Sequence, residues 1–346
     1  MITSVNKAPP LLRIAHALTF TTYLRKYGAP ADKYLRRQGL PVLCDDPNTY
    51  VPLSRMWSFF DTAARHEDPE LGWRVGAHVG DKGLNAALLR KLESAPTLLQ
   101  ALRRFSRMAR TEATGTEVNI EERQDDILFY TRYSGLGQEP GYEISQSYQL
   151  ALFLDLIRHF LGRNWIPPEI GIESSSIPSC ADEYFPDSRI LSSTSAGYIA
   201  VPQSCLHRAP LSGNTTAGRS ESLLLKDNML DPGTGIAYLN LLQSVLSSYL
   251  SEGYISQRVA AELMSTSVRT LTRRLSEFGL TYGMLIDDLR FKVAKEKLSN
   301  TDQPIYDIAY SVGFRDQGSF TRMFRRIGGV SPKEFRDSAK HTVRVN

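Results

Sequence analysis

Two segments near the end of the sequence repeat one pattern of apolar, small and basic residues. The first reads ISQRVAAELMSTSVRTLTRRLSEFGL from Ile255, and the second reads PIYDIAYSVGFRDQGSFTRMFRRIGGVSP from Pro304. In each segment, a short amphipathic helix is followed by a tight turn and then by a helix rich in arginine. This pattern is typical of a helix-turn-helix, whose second helix enters the major groove of DNA. The sequence therefore predicts two helix-turn-helix units, over about residues 255–278 and 304–328.

The positive charge of the chain is concentrated in the region that holds these two units. Residues 236–346 contain 16 Lys and Arg against 11 Asp and Glu, whereas the remaining 235 residues contain 25 against 26. Binding to duplex DNA depends on neutralising phosphates, so a DNA-binding module requires such an excess. A basic surface that is merely solvated is the alternative, but the coincidence of the charge with the helical pattern argues against it.

The first unit has a predicted positioning helix that begins after the N-cap Ser256. Ala260 is small at the point where the two helices must cross closely. Residues 265–267 are expected to form the turn. The residues expected on the buried side of the two helices are Val259, Ala260, Leu263, Val268, Leu271 and Leu275.

The outer face of the second helix carries the predicted DNA contacts of this unit, which are Arg269, Thr270, Arg273 and Arg274. Arginine binds both acceptors of guanine or a phosphate, and threonine meets a base edge or a thymine methyl group. Residues near the start of such a helix usually contact bases, and later residues contact the backbone. We therefore expect Arg269 and Arg273 to contact bases and Arg274 to contact a phosphate.

The second unit repeats the arrangement with a glycine in its turn. Gly313 stands where a positive φ is needed, and Asp316 is expected to cap the next helix rather than to read a base. The residues predicted to be buried are Ile305, Ile308, Ala309, Val312, Phe320, Phe324 and Ile327. The predicted DNA contacts are Arg315, Gln317, Ser319, Arg322 and Arg325. Glutamine is matched to adenine, and the arginines are matched to the DNA backbone or to guanine.

A third amphipathic helix, from Tyr282 to Leu298, joins the two units. About 17 residues at a rise of roughly 1.5 Å span about 25 Å. A rigid spacer of that size could hold the two reading helices about one DNA turn, roughly 34 Å, apart. Arg290 lies at the edge of the apolar stripe of this helix. Its position is equally compatible with a buried ion pair and with a phosphate contact.

The first half of the chain has the mixed pattern of an α+β domain. We expect helices over 14–27, 31–38, 53–66 and 142–161 and another that starts at Ser94-Ala-Pro-Thr. Segments 118–121 and 127–133 predict a β-hairpin, and further strands are expected at 169–173, 190–192 and 197–201. The predicted architecture is an α+β N-terminal domain (residues 1–214) with helices over small β-sheets, a polar linker (residues 215–235) and an all-α C-terminal domain (residues 236–346).

The C-terminal region resembles the AraC/XylS family of bacterial transcription regulators. This resemblance runs from about Ile236 to Arg336, and its most specific part is the second unit quoted above, where Gly318 replaces the usual serine. Residues from about Leu35 to Leu211, which include LRRQGLPVLCDDPNTYVPLSRMWSFFDTAARHEDPELGWRVGAHV, are similar to the non-cupin, arabinose-binding-type sensor domain of that family. The resemblance implies a seven-helix module that binds adjacent major grooves and often activates transcription through RNA polymerase. It also implies a sensor domain that answers to a small-molecule effector.

An enzyme is the first alternative class. The motifs GxSxG, HExxH and GxxxxGK[ST] and a dinucleotide fingerprint are absent from the sequence, and its six histidines and three cysteines lack metal-ligand spacing. We therefore expect no catalytic residues, no metal site and no cofactor. A signal-peptide pattern and an apolar run of about 20 residues are also missing, so we expect a cytoplasmic protein that does not enter the membrane.

A constitutive DNA-binding regulator is the second alternative. In that case the N-terminal half would serve only for dimerisation. We expect a transcriptional regulator, most simply an activator, whose N-terminal domain senses a small molecule. The sequence leaves the effector-binding residues, the operator and the formation of a homodimer open.

Overall fold

The computed structural model describes residues 9–44, 46–83, 92, 94–133, 139–211, 235–253 and 255–344. Over these residues the chain forms two compact units. The N-terminal unit comprises residues 10–39 and 53–211, and the C-terminal unit comprises residues 235–344 together with Pro9 and residues 40–52. The predicted linker over 215–235 lies outside the described residues except for its last position.

The elements of the first 211 residues alternate between helices and short strands. In chain order they are β1 (Leu11–Arg13), α1 (Ala15–Lys26), α2 (Ala31–Arg37), β2 (Tyr50–Pro52, in the C-terminal unit), α3 (Leu53–His66), α4 (Leu71–Gly83), α5 (Leu98–Glu112), β3 (Thr116–Glu122), β4 (Asp126–Tyr133), α6 (Tyr142–Leu161), β5 (Glu169–Gly171), α7 (Ala181–Tyr184), β6 (Arg189–Leu191) and β7 (Gly197–Pro202). Residues 203–205 form a short 3-10 helix.

The sheet of the N-terminal unit has five strands in the order β3-β4-β7-β5-β6. The predicted hairpin pairs β3 with β4 in antiparallel register, with Val118 opposite Thr131. β7 is antiparallel to both β4 and β5, and only the β5–β6 pair is parallel. Phe129 on β4 packs against Phe153 on α6, with ring centroids 4.3 Å apart. The expected class, helices over a small β-sheet, is confirmed.

Two glycines on α4 allow this helix to pack closely against α6. A Cβ on Gly72 would lie 2.3 Å from the carbonyl oxygen of Ile144, and a Cβ on Gly76 would lie 2.3 Å from the Cβ of Ala151. The two glycines are four residues apart and therefore lie on one face of α4. The α4–α6 contact thus depends on the absence of side chains at these two positions.

The C-terminal unit is built from helices. They are α8 (Gly235–Tyr249), a 3-10 helix (Leu250–Glu252), α9 (Gln257–Leu263), α10 (Val268–Ser276), α11 (Tyr282–Asn300), α12 (Ile305–Ser311), α13 (Gln317–Gly328) and α14 (Pro332–Arg344). The seven α-helices among the described residues agree with the expected module. Its second half has a core of buried residues from α11, α12 and α13, with Phe320 and Phe324 fully enclosed.

Three residues predicted to be buried in this unit are exposed. Val259, Val268 and Ile327 each expose between 37% and 41% of their surface. Each lies in the first or last turn of a short helix. A close helix crossing covers only the middle of such a helix, so apolar periodicity alone assigned these positions to the wrong side. The prediction was wrong for these three residues.

Residues 40–52 pack with the C-terminal helices although they come from the first half of the sequence. The backbone N–H of Val42 donates to Glu252 (2.9 Å), and the hydroxyl of Ser251 donates to the carbonyl of Leu43 (3.0 Å). The buried hydroxyl of Ser248 on α8 donates to the carbonyl of Tyr50 on β2 (3.1 Å). A compact C-terminal unit therefore includes this early segment as well as the residues predicted for it.

Substitution of Val51 tests whether this segment contributes to the C-terminal unit. Val51 is fully buried, whereas Leu43 in the same segment is 68% exposed. We expect Val51→Ala to destabilise the unit by roughly 1–3 kcal/mol, because it leaves a cavity, and Leu43→Ala to change stability by less than about 0.5 kcal/mol. Amide hydrogen exchange in α8 of the full chain measures the difference. If the α8 amides of Val51→Ala kept the same protection from exchange, the segment would not contribute to the stability of the unit.

Candidate DNA-binding surface

The turns of the two helix-turn-helix units are closed by the same hydrogen bonds. The second residue after each positioning helix, α9 or α12, has a positive φ, which is 46° at Ser265 and 83° at Gly313. The N–H of Thr266 then donates to the carbonyl of Ala261 (2.9 Å), and the N–H of Phe314 donates to the carbonyl of Ala309 (3.0 Å). Both are Schellman-type helix ends. This local geometry sets the direction in which each recognition helix, α10 or α13, leaves the turn.

The second turn is also packed from behind. A Cβ on Gly313 would lie 2.8 Å from the carbonyl oxygen of Gly253 and 2.9 Å from that of Leu250. Arg290 on α11 is buried, donates to the carbonyl of Gly313 (3.3 Å) and lies over the ring of Phe314 (4.6 Å to its centroid). Of the two roles that the sequence left open for Arg290, this burial favours the structural one.

The first recognition helix, α10, begins at a side-chain cap and exposes two arginines. The hydroxyl of Ser267 accepts from the N–H of Thr270 (3.1 Å). Arg269 and Arg273 are exposed and lie four residues apart, on one face of the helix. Thr270 is half-buried, and its hydroxyl hydrogen-bonds with that of Ser267 (2.9 Å). The arginines are therefore more available to DNA than the threonine.

Arg274 has a different environment from the other arginines of α10. It is half-buried, and its guanidinium lies 4.2 Å from the ring centroid of Tyr238 on α8. Burial raises the pKa of Tyr238, and the positive charge of Arg274 offsets part of that effect. Arg274 thus joins α10 to α8, and the phosphate contact assigned to it remains a prediction.

The second recognition helix, α13, is capped by an aspartate. The carboxylate of Asp316 accepts from the N–H of Ser319 (2.8 Å), and this hydrogen bond lowers the pKa of Asp316. Ser319 is half-buried, and its hydroxyl accepts from Arg322 (3.0 Å). The exposed members of the predicted set are Arg315, Gln317, Arg322 and Arg325. This helix and the residue before its cap therefore present cationic and amide donors to solvent, as a groove-reading helix requires.

The structure adds one residue to this surface that the sequence reading left out. Thr272 is exposed on α10 next to Arg273, and its hydroxyl accepts from the side chain of Gln257 on α9 (2.8 Å). Thr272 is three residues after Arg269, and this spacing indicates that the two side chains lie on the same face of α10. Arg326 on α13, by contrast, forms an ion pair with Asp287 on α11 and holds these two helices together.

The described part of the chain also gives information on metal binding and on membrane spans. No group of three or more His, Cys, Asp or Glu in that part of the chain is arranged to hold a metal ion. None of the helices described there combines the length and apolarity needed to cross a membrane.

The two turns give a matched pair of stability predictions. Ser265→Gly is expected to stabilise the chain by about 0.5–1 kcal/mol, because glycine adopts a positive φ without the steric cost that serine has. Gly313→Ala is expected to destabilise it by about 2 kcal/mol or more, because the new Cβ meets two carbonyl oxygens at a strained φ. Urea unfolding of the two variants measures both effects. Equal effects of the same sign would contradict the described turn geometry.

Two family models match the chain. The model described as a helix-turn-helix domain matches residues 260–338. The model described as the arabinose-binding domain of AraC transcription regulator, N-terminal, matches residues 28–191. The matches fall on the helix-turn-helix units and on most of the N-terminal unit.

Curated relatives match the chain over part of its length. The ornithine utilization regulator of Pseudomonas aeruginosa is 40% identical over 79 residues, which are 23% of this chain and 23% of that protein. The HTH-type transcriptional activator RhaS of an Enterobacter species is 39% identical over 101 residues, which are 29% of this chain and 36% of that protein. The chain thus spans only about a quarter to a third of the length of these relatives.

Among solved structures, the transcriptional regulator CdpR from Pseudomonas aeruginosa is similar over 88% of this chain and 96% of its own. The sequence identity is 17% and the TM-score is 0.39.

Proposed function

Because the chain belongs to the AraC family of transcription regulators, we propose that it binds duplex DNA at specific sites and regulates transcription there. The observation that carries the proposal is the pair of recognition helices α10 and α13. Each begins at a side-chain cap, and each presents exposed arginines on one side. Arginines in this position can reach guanine acceptors and phosphates in a major groove.

Different roles follow from the position of each residue on these helices. Arg269 and Arg273 lie on the exposed face of α10 and are proposed to read bases, and Gln317 at the start of α13 is proposed to read adenine. Arg322 and Arg325 lie further along α13 and are matched to phosphates or guanine. The remaining proposed contacts, from side chains that border these faces, are Thr270, Arg274, Arg315 and Ser319.

The length of α11 supports a reading of two successive grooves by one chain. This helix has 19 residues, which correspond to about 28 Å at the usual helical rise. The ion pair between Arg326 and Asp287 ties α13 to α11. A rigid helix of this length is suited to hold the two recognition helices about one DNA turn apart.

We further propose that the N-terminal unit senses a small-molecule effector and that the protein is an activator that contacts RNA polymerase. Sensing is supported by the match of residues 28–191 to a domain described as arabinose-binding. Activation is supported by relatives described as transcriptional activators. The alternative is a constitutive regulator whose N-terminal half only dimerises. An effector that changes DNA affinity or transcription in a reconstituted assay separates the two, because a purely dimerising domain would leave both unchanged.

Two substitutions test the proposed DNA contacts in the full chain. Arg273→Ala is expected to weaken the free energy of binding to the preferred sequence by about 1–3 kcal/mol, because a base-reading arginine is lost. It should also relax the base preference at one position of that sequence. Arg325→Ala is expected to weaken binding to all DNA sequences by the same factor, because a phosphate contact is lost. The affinity should also fall less steeply with salt concentration, by about one released counterion. Fluorescence anisotropy with cognate and random duplexes at several salt concentrations measures both effects.

Lys292→Ala provides the control. Lys292 is exposed on α11, not on a recognition helix, and is paired with Asp288 of the same helix. The substitution removes one positive charge, as the two arginine variants do. It should leave the DNA affinity and its salt dependence close to those of the unmodified chain. If Arg273→Ala weakened cognate and random DNA equally, its assignment as a base reader would be wrong.

A further inference from the structure

An internal cavity lies at the centre of the N-terminal unit. Its lining residues come from β1, α1, α3, α5, β3, β4 and α6, so it is located where the helices meet the sheet. Its volume is about 30 Å³, which is enough for water but not for a metabolite in this state. Residues 84–91, 93 and 134–138 lie outside the described part of the chain and are not included in this site.

Most of the cavity wall is aromatic and aliphatic. Phe105 on α5 and Phe153 on α6 line it from two sides, and their rings meet edge to face at a centroid distance of 5.3 Å. Phe60 and Tyr133 contribute two further rings. Aromatic side chains prefer such edge-to-face and offset contacts with another ring. A ligand that contains a ring therefore fits this wall better than a flexible polar chain.

One end of the cavity is polar and contains a buried carboxylate. The carboxylate of Glu112 lies 3.3 Å from Arg13 Nε and 3.3 Å from His16 Nε2. The other ring nitrogen of His16 hydrogen-bonds with the hydroxyl of Tyr148 (3.2 Å). Glu112, His16 and Tyr148 line the cavity, whereas Arg13 contacts Glu112 without lining the cavity. A ligand at this end would therefore meet the carboxylate and the imidazole.

The ionised groups at this end of the cavity limit which ligand charge is favourable. Burial raises the pKa of Glu112, but the hydrogen bond from His16 and the positive charge of Arg13 outweigh burial, so the pKa lies below its usual range. Glu112 is thus ionised and already balanced by Arg13. An anionic ligand would meet the carboxylate, and a cationic ligand would add a buried charge without a further partner. Both are disfavoured relative to an uncharged molecule.

A further polar residue of the cavity lining supplies a donor. Gln149 on α6 lines the cavity, and its side-chain oxygen accepts from the hydroxyl of Thr131 (2.7 Å). Its amide N–H groups remain to donate. Glu112 thus brings an acceptor to the lining, and Gln149 brings a donor. A hydroxyl group is the simplest ligand group that can both donate and accept.

We propose that this cavity is the effector site and that its ligand is a small uncharged molecule with one ring and a hydroxyl group. The proposal rests on the effector sensing proposed above. Because the cavity is smaller than a ring, the ligand binds a state in which Phe105 and Phe153 have moved apart. Binding therefore shifts the packing of α5 against α6, which supplies the differential affinity that a sensor requires.

Three probes of similar size test the ligand class on the full chain. Benzyl alcohol, benzylamine and benzoate share the ring and differ in the charge of the attached group. Isothermal titration calorimetry at millimolar probe concentrations is expected to show saturable binding of one benzyl alcohol per chain, at least about tenfold tighter than either charged probe. A rise of the unfolding midpoint should accompany it. Stronger binding of benzoate or benzylamine, or no binding of any probe, would overturn the proposal.

Substitutions at the wall test the location. Ala109→Leu on α5 fills the cavity and is expected to weaken benzyl alcohol binding at least about tenfold, because added methylenes occupy the space of the ring. The control is Ala101→Leu, which is also buried on α5 but does not line the cavity. Val118→Ala enlarges the cavity and is expected to strengthen binding several-fold. It keeps the test decisive if Ala109→Leu fails to fold. Binding that neither wall variant alters would place the probe elsewhere.

The outcome for the cavity can be separated from that for effector sensing. If benzyl alcohol binds as expected but no ligand of the cavity changes DNA affinity, the site is correct and the proposed sensing fails. If an effector changes DNA affinity equally in the unmodified chain and in Ala109→Leu, sensing holds and the assignment of this cavity fails.

Discussion

The C-terminal unit depends on the close approach of backbone groups around Gly313. The carbonyl groups of Leu250 and Gly253 lie within 3 Å of the position that a Cβ would occupy on Gly313, and Arg290 donates to the carbonyl of Gly313. This junction joins the 3-10 helix that follows α8, the middle of α11 and the end of α12. Because α13 starts four residues after Gly313, its orientation relative to the rest of the unit follows from this contact.

The two helix-turn-helix units use one turn geometry under different constraints. At Ser265 the positive φ occurs at an exposed position, so a side chain is tolerated at a modest conformational cost. At Gly313 the same conformation is combined with close packing, and no side chain fits. The second unit therefore has a physical reason to retain its glycine, which agrees with the higher specificity of its sequence. The same unit carries the ion pair between Arg326 and Asp287, which links its recognition helix to α11.

Sequence patterns predicted what is local and failed where distant segments decide. The helix starts after Ser267 and Asp316 were predictable, because each cap places a side-chain acceptor opposite a free backbone N–H. The exposure of Val268 was not, since periodicity does not reveal where a crossing helix ends. The stacking of Arg274 on an α8 tyrosine and the packing of residues 40–52 with the C-terminal helices depend on contacts between segments far apart in sequence. The lining of the internal cavity could not be predicted either, because it comes from seven elements that are far apart in the sequence.

We propose that two recognition helices, held by one rigid helix, read successive major grooves. Selection from a pool of randomised duplexes with the full chain measures this. We expect an enriched sequence with two preferred segments whose centres lie about 10 base pairs apart. Replacing the arginines of α10 should remove the preference in one of the two segments and leave the other unchanged. A folded preparation that enriches no sequence, or one that reads a single short segment, would contradict it.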